Sequence, residues 1–178
     1  LINLREEMCR ALQLDVSEMP FVGELLQVGE EESRWEGAAE RVFHNFGLSL
    51  LVPDAHYAKV SDYVDATNLR GRLVYYKVNV DATHDTLFCD ADSLAKKIEI
   101  KPESPYYGWL EYELVRRFNY ICCEDTSRFR REKQAITRAG QIKSGGRRHE
   151  KDDRRHLNDR KKYVLGWNNR MKVKAITL

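Results

Sequence analysis

The feature that most constrains the fold is an internal similarity between two stretches that lie 72 residues apart. Residues 35–52 align with residues 107–124, and the alignment places Phe46 on Phe118. A short strand-like run precedes each stretch, and a charged helical stretch follows each. The duplication predicts two similar units, each in the order strand, helix, strand, helix, strand. Two similar surfaces favour a symmetric interaction module over an enzyme with a single pocket.

Hydrophobic runs and turn signals predict an α+β fold. Strands separated by helices of this length imply crossover connections. Residues 79–93 carry four aspartates and few large apolar residues, which indicates a connector between the units. The first unit is predicted to contain strands at 24–28, 48–52 and 71–78, with helices at 30–45 and 54–65; the second is predicted to contain strands at 97–100, 120–123 and 134–137, with helices at 107–118 and 127–132.

The composition bounds the class of protein. A chain of 178 residues, 42% hydrophobic and 33% charged, can bury one substantial core or two small halves that share one. Its apolar runs are far shorter than the ~20 residues that a bilayer crossing requires, so we expect a soluble, cytoplasmic protein. The cysteines lack a C-x-x-C spacing and two are adjacent, which argues against a disulfide framework or a zinc site. They are Cys9, Cys89, Cys122 and Cys123.

Both ends of the chain carry heptad-like spacing. Leu1, Leu4, Met8 and Ala11 step at three-four-three, and Trp167, Met171, Lys174 and Leu178 step at four-three-four, which is typical of a coiled-coil seam. Each pattern spans barely two heptads, so an ordinary amphipathic terminal helix remains the alternative. The predicted organisation is a coiled-coil stub at 1–19, a first subdomain with its connector at 20–93, a second subdomain at 94–162, and a coiled-coil stub at 163–178.

The charge is unevenly distributed along the chain. Residues 126–178 hold 17 of the 30 lysines and arginines but only 5 of the 28 acidic residues. Such asymmetry favours contact with a polyanion or with an acidic surface, including that of a second copy. Because the basic run has few aromatic residues, duplex DNA or protein is a better ligand than a single strand. The candidate DNA contacts are Arg138, Lys143, Arg147, Arg148, Arg154 and Arg155.

The segment 140–147 has the glycine spacing of a phosphate-binding P-loop. That motif requires a lysine and a hydroxyl residue after the second glycine, but Gly146 and Arg147 occupy those places. Nucleotide hydrolysis is therefore not expected here. The glycines instead permit positive φ angles and close backbone approach, as at a turn or an interface strand.

An alternative hypothesis is a metal-dependent nuclease or other phosphodiesterase. Glu150, Asp152 and Asp153 are potential ligands of Mg²⁺, which could act on a scissile phosphate. They are interleaved with arginines and lysines, so a solvated charged segment is the favoured interpretation. No histidine has a serine or cysteine partner in a recognisable catalytic context, and we predict no catalytic residue, metal or cofactor in this chain.

Three stretches resemble the hinge domain of SMC-type chromosome-organising proteins. They are residues 21–28, the first-unit segments 38–42, 50–52 and 71–75, and residues 135–146, where a single glycine precedes a Gly-Gly pair. The resemblance covers about residues 20–148. It implies a homodimer in which each half meets the opposite half of its partner, with Gly140, Ile142, Gly145 and Gly146 near the dimer interface.

Within that family, residues 44–53 and 143–154 are most similar to the SMC-like subunits of bacterial Wadjet anti-plasmid systems, which are related to MukB. This resemblance implies an ATPase whose head domains lie outside the present sequence. It also implies kleisin-like and accessory subunits and a nuclease as partners, a nucleoid or plasmid location, and the extrusion and cutting of plasmid DNA.

Overall fold

A computed structural model describes residues 1–167. The predicted α+β class is confirmed, with five α-helices, eight short strands and several 3₁₀ turns in the described part. The helices are α1 (Ile2–Leu12), α2 (Glu36–Gly47), α3 (Asp54–Ala66), α4 (Tyr107–Arg117) and α5 (Thr126–Arg131); the strands are β1 (Leu26–Val28), β2 (Leu50–Pro53), β3 (Tyr75–Val78), β4 (Ile98–Ile100), β5 (Ile121–Cys123), β6 (Ala135–Thr137), β7 (Ile142–Ser144) and β8 (Arg148–Glu150).

The two units have the predicted order. The first is β1-α2-β2-α3-β3 and the second is β4-α4-β5-α5-β6. In each unit the last two strands pair in parallel, β2 with β3 and β5 with β6, as the intervening helix requires. A side-chain cap fixes the start of α5, where the Asp125 carboxylate accepts a hydrogen bond from the Arg128 amide at 2.8 Å.

Two element boundaries differ from the prediction. The helix expected from residue 30 begins as a 3₁₀ segment, Glu30–Trp35, and becomes α-helical only at Glu36, because Glu32 has a non-helical backbone (φ −110°, ψ 21°). The strand expected from Gly71 begins at Tyr75. The other predicted elements lie within about three residues of their observed bounds.

The pairing of β1 with β4 relates the two units by an approximate twofold axis. The antiparallel register is Leu26 with Ile100, Gln27 with Glu99 and Val28 with Ile98. At the offset of 72, Ile98 is the equivalent of Leu26 and Ile100 is the equivalent of Val28. Leu26 therefore pairs with the equivalent of Val28, and Val28 pairs with the equivalent of Leu26. The flanking bonds repeat this reciprocity. The Gly29 amide donates to the Lys97 carbonyl at 2.9 Å, and the Lys101 amide donates to the Leu25 carbonyl at 2.8 Å. A reciprocal arrangement of this kind is what a twofold axis requires.

The units share one hydrophobic core. Phe46 and Phe118, which the sequence alignment places on each other, are in contact with ring centroids 5.0 Å apart, and Phe43 lies 4.6 Å from Phe118. The same cluster includes buried residues from β1, β4, α2 and α4. Because apolar burial is the main favourable term in folding, the units are energetically coupled.

The first helix, α1, packs on the first unit. Met8 and Cys9 are buried in a second cluster with Phe21 and Val60, whereas Ala11 of the predicted seam is exposed. The C-terminal seam continues into residues 168–178, outside the described residues. The assignment of both ends to coiled-coil stubs and the subdomain bounds at 93/94 and 162/163 stay predictions. Within residues 1–167, we find no helix with the length and hydrophobicity needed to traverse a bilayer.

Candidate interaction sites

The second unit ends in an unpaired sheet edge. Its sheet has the order β5-β6-β7-β8, and β8 is the outermost strand. All three residues of β8 are exposed. Among the described residues, no strand pairs with its outer side, so β8 offers a free edge for a further strand.

The first unit has a matching free edge on β3. This strand pairs only with β2 among the described strands. The Leu50 amide donates to the Val74 carbonyl at 2.9 Å. Since backbone groups alternate in direction along a strand, the N–H and C=O of Tyr76 also point toward β2, and those of Tyr75 and Lys77 point away from it. In the second unit the corresponding side of β6 is covered by β7.

Two of the four predicted interface residues lie beside the β8 edge. Gly145 (φ 61°) and Gly146 (φ 79°) form the turn between β7 and β8, a conformation with two positive φ angles that glycine adopts readily. Gly145 is exposed, with no atom within 4 Å of the position that a Cβ would occupy.

The other two predicted interface residues are inside the protein. Ile142 is buried in the shared core. Gly140 is buried beneath the Leu157 side chain, which would lie 3.0 Å from an added Cβ. In the single chain the segment that follows β8 covers Gly140 and the core contains Ile142, so the place of these two residues near the dimer interface stays a prediction.

The predicted DNA contact at Lys143 also requires correction. Lys143 is buried, and its ammonium group donates to the carbonyls of Phe129 at 3.2 Å and Arg130 at 2.9 Å. These carbonyls lie in the last turn of α5, where a cation stabilises the helix end. Lys143 is therefore a helix cap. The sequence placed it in the basic run but gave no sign that its charge points inward.

The remaining predicted DNA contacts are exposed. Arg138 lies 3.8 Å from Glu124, and Arg148 lies 3.3 Å from Glu150. Arg154 forms a 2.6 Å ion pair with Asp152. Arg147 and Arg155 are exposed as well, and the carbonyl of Arg155 accepts a hydrogen bond from Arg41 of α2.

The carboxylates of the nuclease hypothesis do not converge. Each is engaged by a basic residue two positions away: Glu150 with Arg148, Asp152 with Arg154, and Asp153 with Lys151. Hydrogen bonds from Arg154 hold the pKa of Asp152 well below its usual range. Within residues 1–167 no three His, Cys, Asp or Glu side chains lie close enough to hold a metal ion, so the nuclease hypothesis lacks its ligand geometry.

Hydrogen bonds to the buried Glu40 carboxylate attach the segment 163–166 to α2. The amides of Val164 and Leu165 donate to Glu40 Oε1 at 2.7 and 2.8 Å, and the Gly166 amide donates to the Gly23 carbonyl at 2.8 Å. A Cβ at Gly23 would lie 2.2 Å from the Val164 carbonyl oxygen, so only glycine fits there. Sequence reasoning missed this attachment, because Glu40 looks like an ordinary helix residue and its partners lie more than 120 residues away.

Helix α1 is attached to the 3₁₀ segment Val22–Glu24, which contains Gly23. Arg5 of α1 is buried and pairs with the Glu24 carboxylate at 2.5 Å, and it also donates to the Met19 carbonyl at 3.3 Å. Glu24 in turn accepts from the Phe21 amide at 2.8 Å. Both ends of the described chain therefore attach to one short segment of the first unit.

The fold of these two α/β units is similar to that of solved SMC hinge domains, so the resemblance seen in the sequence is confirmed at the level of fold. The chain is similar to the Pyrococcus furiosus Smc hinge domain with an extended coiled coil (TM-score 0.63, 16% identity), covering 98% of this chain and 60% of that one. It is also similar to the Geobacillus stearothermophilus SMC hinge domain, solved as an asymmetric dimer (TM-score 0.57, 16% identity, 97% and 72% covered).

A third similar structure is the folded elbow of cohesin (TM-score 0.63, 17% identity), with 99% of this chain and 25% of that one covered. The chain thus spans about 60% of the first of these structures and a quarter of the cohesin chain. No protein-family model and no curated protein sequence matches it.

Proposed function

We propose that this chain is a homodimerisation hinge of an SMC-type protein and has no catalytic role of its own. The observation that carries the proposal is that, among the described strands, β3 of the first unit and β8 of the second each have a free edge. The fold is that of domains of which one, from Geobacillus stearothermophilus, was solved as a dimer.

In the proposed dimer, β3 of each copy pairs with β8 of the other. Two copies then make two equivalent contacts that use the free edges of both β3 and β8, which is the closed arrangement that twofold symmetry gives. Edge pairing satisfies backbone donors and acceptors that otherwise face water. The Gly145–Gly146 turn has no side chains to obstruct the partner's backbone.

The test is the mass of the chain in sedimentation equilibrium, with two variants of one residue. Lys77→Pro removes an amide that points away from β2, so it blocks edge pairing while the β2–β3 ladder keeps its bonds. Lys77→Ala removes the side chain but keeps that amide. We expect a dimer for the natural chain and for Lys77→Ala, and a folded monomer for Lys77→Pro.

A natural chain that stays monomeric at all accessible concentrations would contradict the proposal. So would a Lys77→Pro variant that keeps its circular dichroism spectrum and remains a dimer, because the free edge of β3 would then play no part in association.

For the whole protein, we propose the SMC-like ATPase subunit JetC of a Wadjet system, a MukB-related condensin of the cytoplasm that acts on plasmid DNA. Its partners would be kleisin-like and accessory subunits and a nuclease. Support comes from the amino-acid sequence of residues 44–53 and 143–154, which is similar to that of SMC-like subunits of Wadjet systems. The complete gene, expressed together with the genes of these partners, should restrict plasmid transformation in a host that lacks the system, and loss of its ATP-binding site should abolish restriction. Unchanged plasmid uptake with the complete gene set would contradict this assignment.

A second candidate function is contact with duplex DNA through the basic C-terminal third. It is favoured by the exposure of Arg138, Arg147, Arg148, Arg154 and Arg155. Arg154 and Arg155 are the best pair for a test because they lie beyond β8. Changing both to alanine should weaken binding equally for all sequences and reduce the slope of log affinity against log salt by about 2. An unchanged slope would remove these residues from any DNA contact.

A further inference from the structure

The connector after β3 exposes an unusual amount of apolar surface. Residues 79–88 are exposed throughout, and Phe88 exposes 85% of its surface. Val80 and Leu87 are 38% and 37% exposed. His84 stacks on Tyr112 of α4 with ring centroids 4.7 Å apart, which holds the middle of the connector against the second unit. A large apolar side chain presented in this way is typical of an interaction surface.

The charge of the connector indicates what it contacts. Residues 79–92 contain four aspartates and no lysine or arginine. Asp92 is engaged by Arg128 at 2.7 Å, but Asp81 and Asp85 form no ion pair with any described residue. An exposed phenylalanine flanked by unpaired carboxylates is complementary to a basic surface with room for an aromatic ring.

The second unit carries such a surface, which we call the basic corner: Arg130, Arg131, Lys133 and Arg147. All four side chains are exposed and form no ion pair with the described residues. The corner adjoins the Gly145–Gly146 turn, since the Gly146 amide donates to the Lys133 carbonyl at 2.8 Å and Arg147 follows Gly146 directly. Because the turn lacks side chains, an aromatic ring can lie directly on its backbone.

We propose that the connector of one copy docks through Phe88 on the basic corner of a second copy. This inference rests on the proposed dimerisation function and adds a side-chain contact to it. Antiparallel pairing of β3 with the partner's β8 brings the Val78 end of β3 to the start of β8, next to the partner's Gly145–Gly146 turn. The ten residues from Val78 to Phe88 can span up to about 33 Å when fully extended, and such an extension requires His84 to leave its stack on Tyr112.

The direct test replaces Phe88 with the photoreactive residue p-benzoylphenylalanine. Isotopically light and heavy copies are mixed, irradiated and digested, so that mass spectrometry separates cross-links between copies from those within one. We expect cross-links between copies to peptides within residues 130–147. Cross-links confined to one chain, to another peptide, or to added duplex DNA alone would overturn the inference.

A second measurement separates this inference from the proposed function. Phe88→Ser should raise the dissociation constant of the dimer about tenfold or more, and Phe88→Leu should restore most of the affinity. If Phe88→Ser leaves the dissociation constant unchanged while Lys77→Pro still gives monomers, the docking of Phe88 is wrong and the hinge function stands. A natural chain that never dimerises overturns both.

Discussion

At the scale of single residues, Glu40 carries the attachment of segment 163–166 to α2. Glu40→Ala leaves two buried amides without acceptors, and each unsatisfied donor costs about 1–3 kcal/mol. We expect the free energy of unfolding to fall by about 2–4 kcal/mol in urea titrations at fixed protein concentration. Glu40→Gln is the matched control, since its carbonyl oxygen still accepts from both amides.

Hydrogen exchange locates the effect of the Glu40 substitutions. The amides of Val164 and Leu165 should lose protection in the alanine variant and keep most of it in the glutamine variant. Equal stability of the two variants, with unchanged protection at both amides, would contradict the role given to Glu40.

His44 gives the residue-scale prediction for pH. Burial lowers the pKa of His44, and the nearby charge of Arg155 lowers it further. The unfolded chain therefore binds this proton at a higher pH than the folded chain does, so the contribution of His44 to stability is lost as the pH falls below about 6.5. His44→Gln should flatten the rise of the urea midpoint between pH 5 and pH 7. Identical slopes for the two proteins would show that His44 does not contribute.

At the scale of elements, Lys143 joins β7 to the end of α5. Lys143→Met keeps the apolar stem but removes the hydrogen bonds to the Phe129 and Arg130 carbonyls. We expect a loss of about 1–3 kcal/mol and faster amide exchange in α5, with DNA affinity unchanged. A fall in DNA affinity with normal exchange in α5 would return Lys143 to the DNA-contacting group.

The sequence predicted most elements because their signals are local. The offset of 72 residues fixed the order of both units, and Pro53 with Asp54 marked the start of α3. Strands β7 and β8 were missed. Their composition is that of a charged loop, and only the glycines of segment 140–147 indicated a turn or an interface strand. Likewise, the free edges of β3 and β8 are defined by which strands fail to pair, which depends on long-range topology.

At the scale of the whole molecule, the shared core predicts that the two units unfold together. Phe46→Ala removes the ring that contacts Phe118 and should cost about 3–5 kcal/mol. Circular dichroism and tryptophan fluorescence should report one coincident transition for both proteins, because neither unit keeps a complete core alone. Two separate transitions would show that the units are independent domains.

The central claim is that each unit presents a sheet edge that accepts the opposite unit of a second copy. The background variant is Cys89→Ser, because Cys89 is partly exposed whereas the other three cysteines are buried. In this background, one chain carries Lys77→Cys on β3, the other carries Arg148→Cys on β8, and the two chains are co-expressed. The claim predicts that a short bismaleimide cross-links the mixed pair into dimers, whereas neither variant alone is cross-linked efficiently, because each edge faces its counterpart and not itself. Cross-linking of the single variants, or a mixed dimer that is not cross-linked, would contradict it.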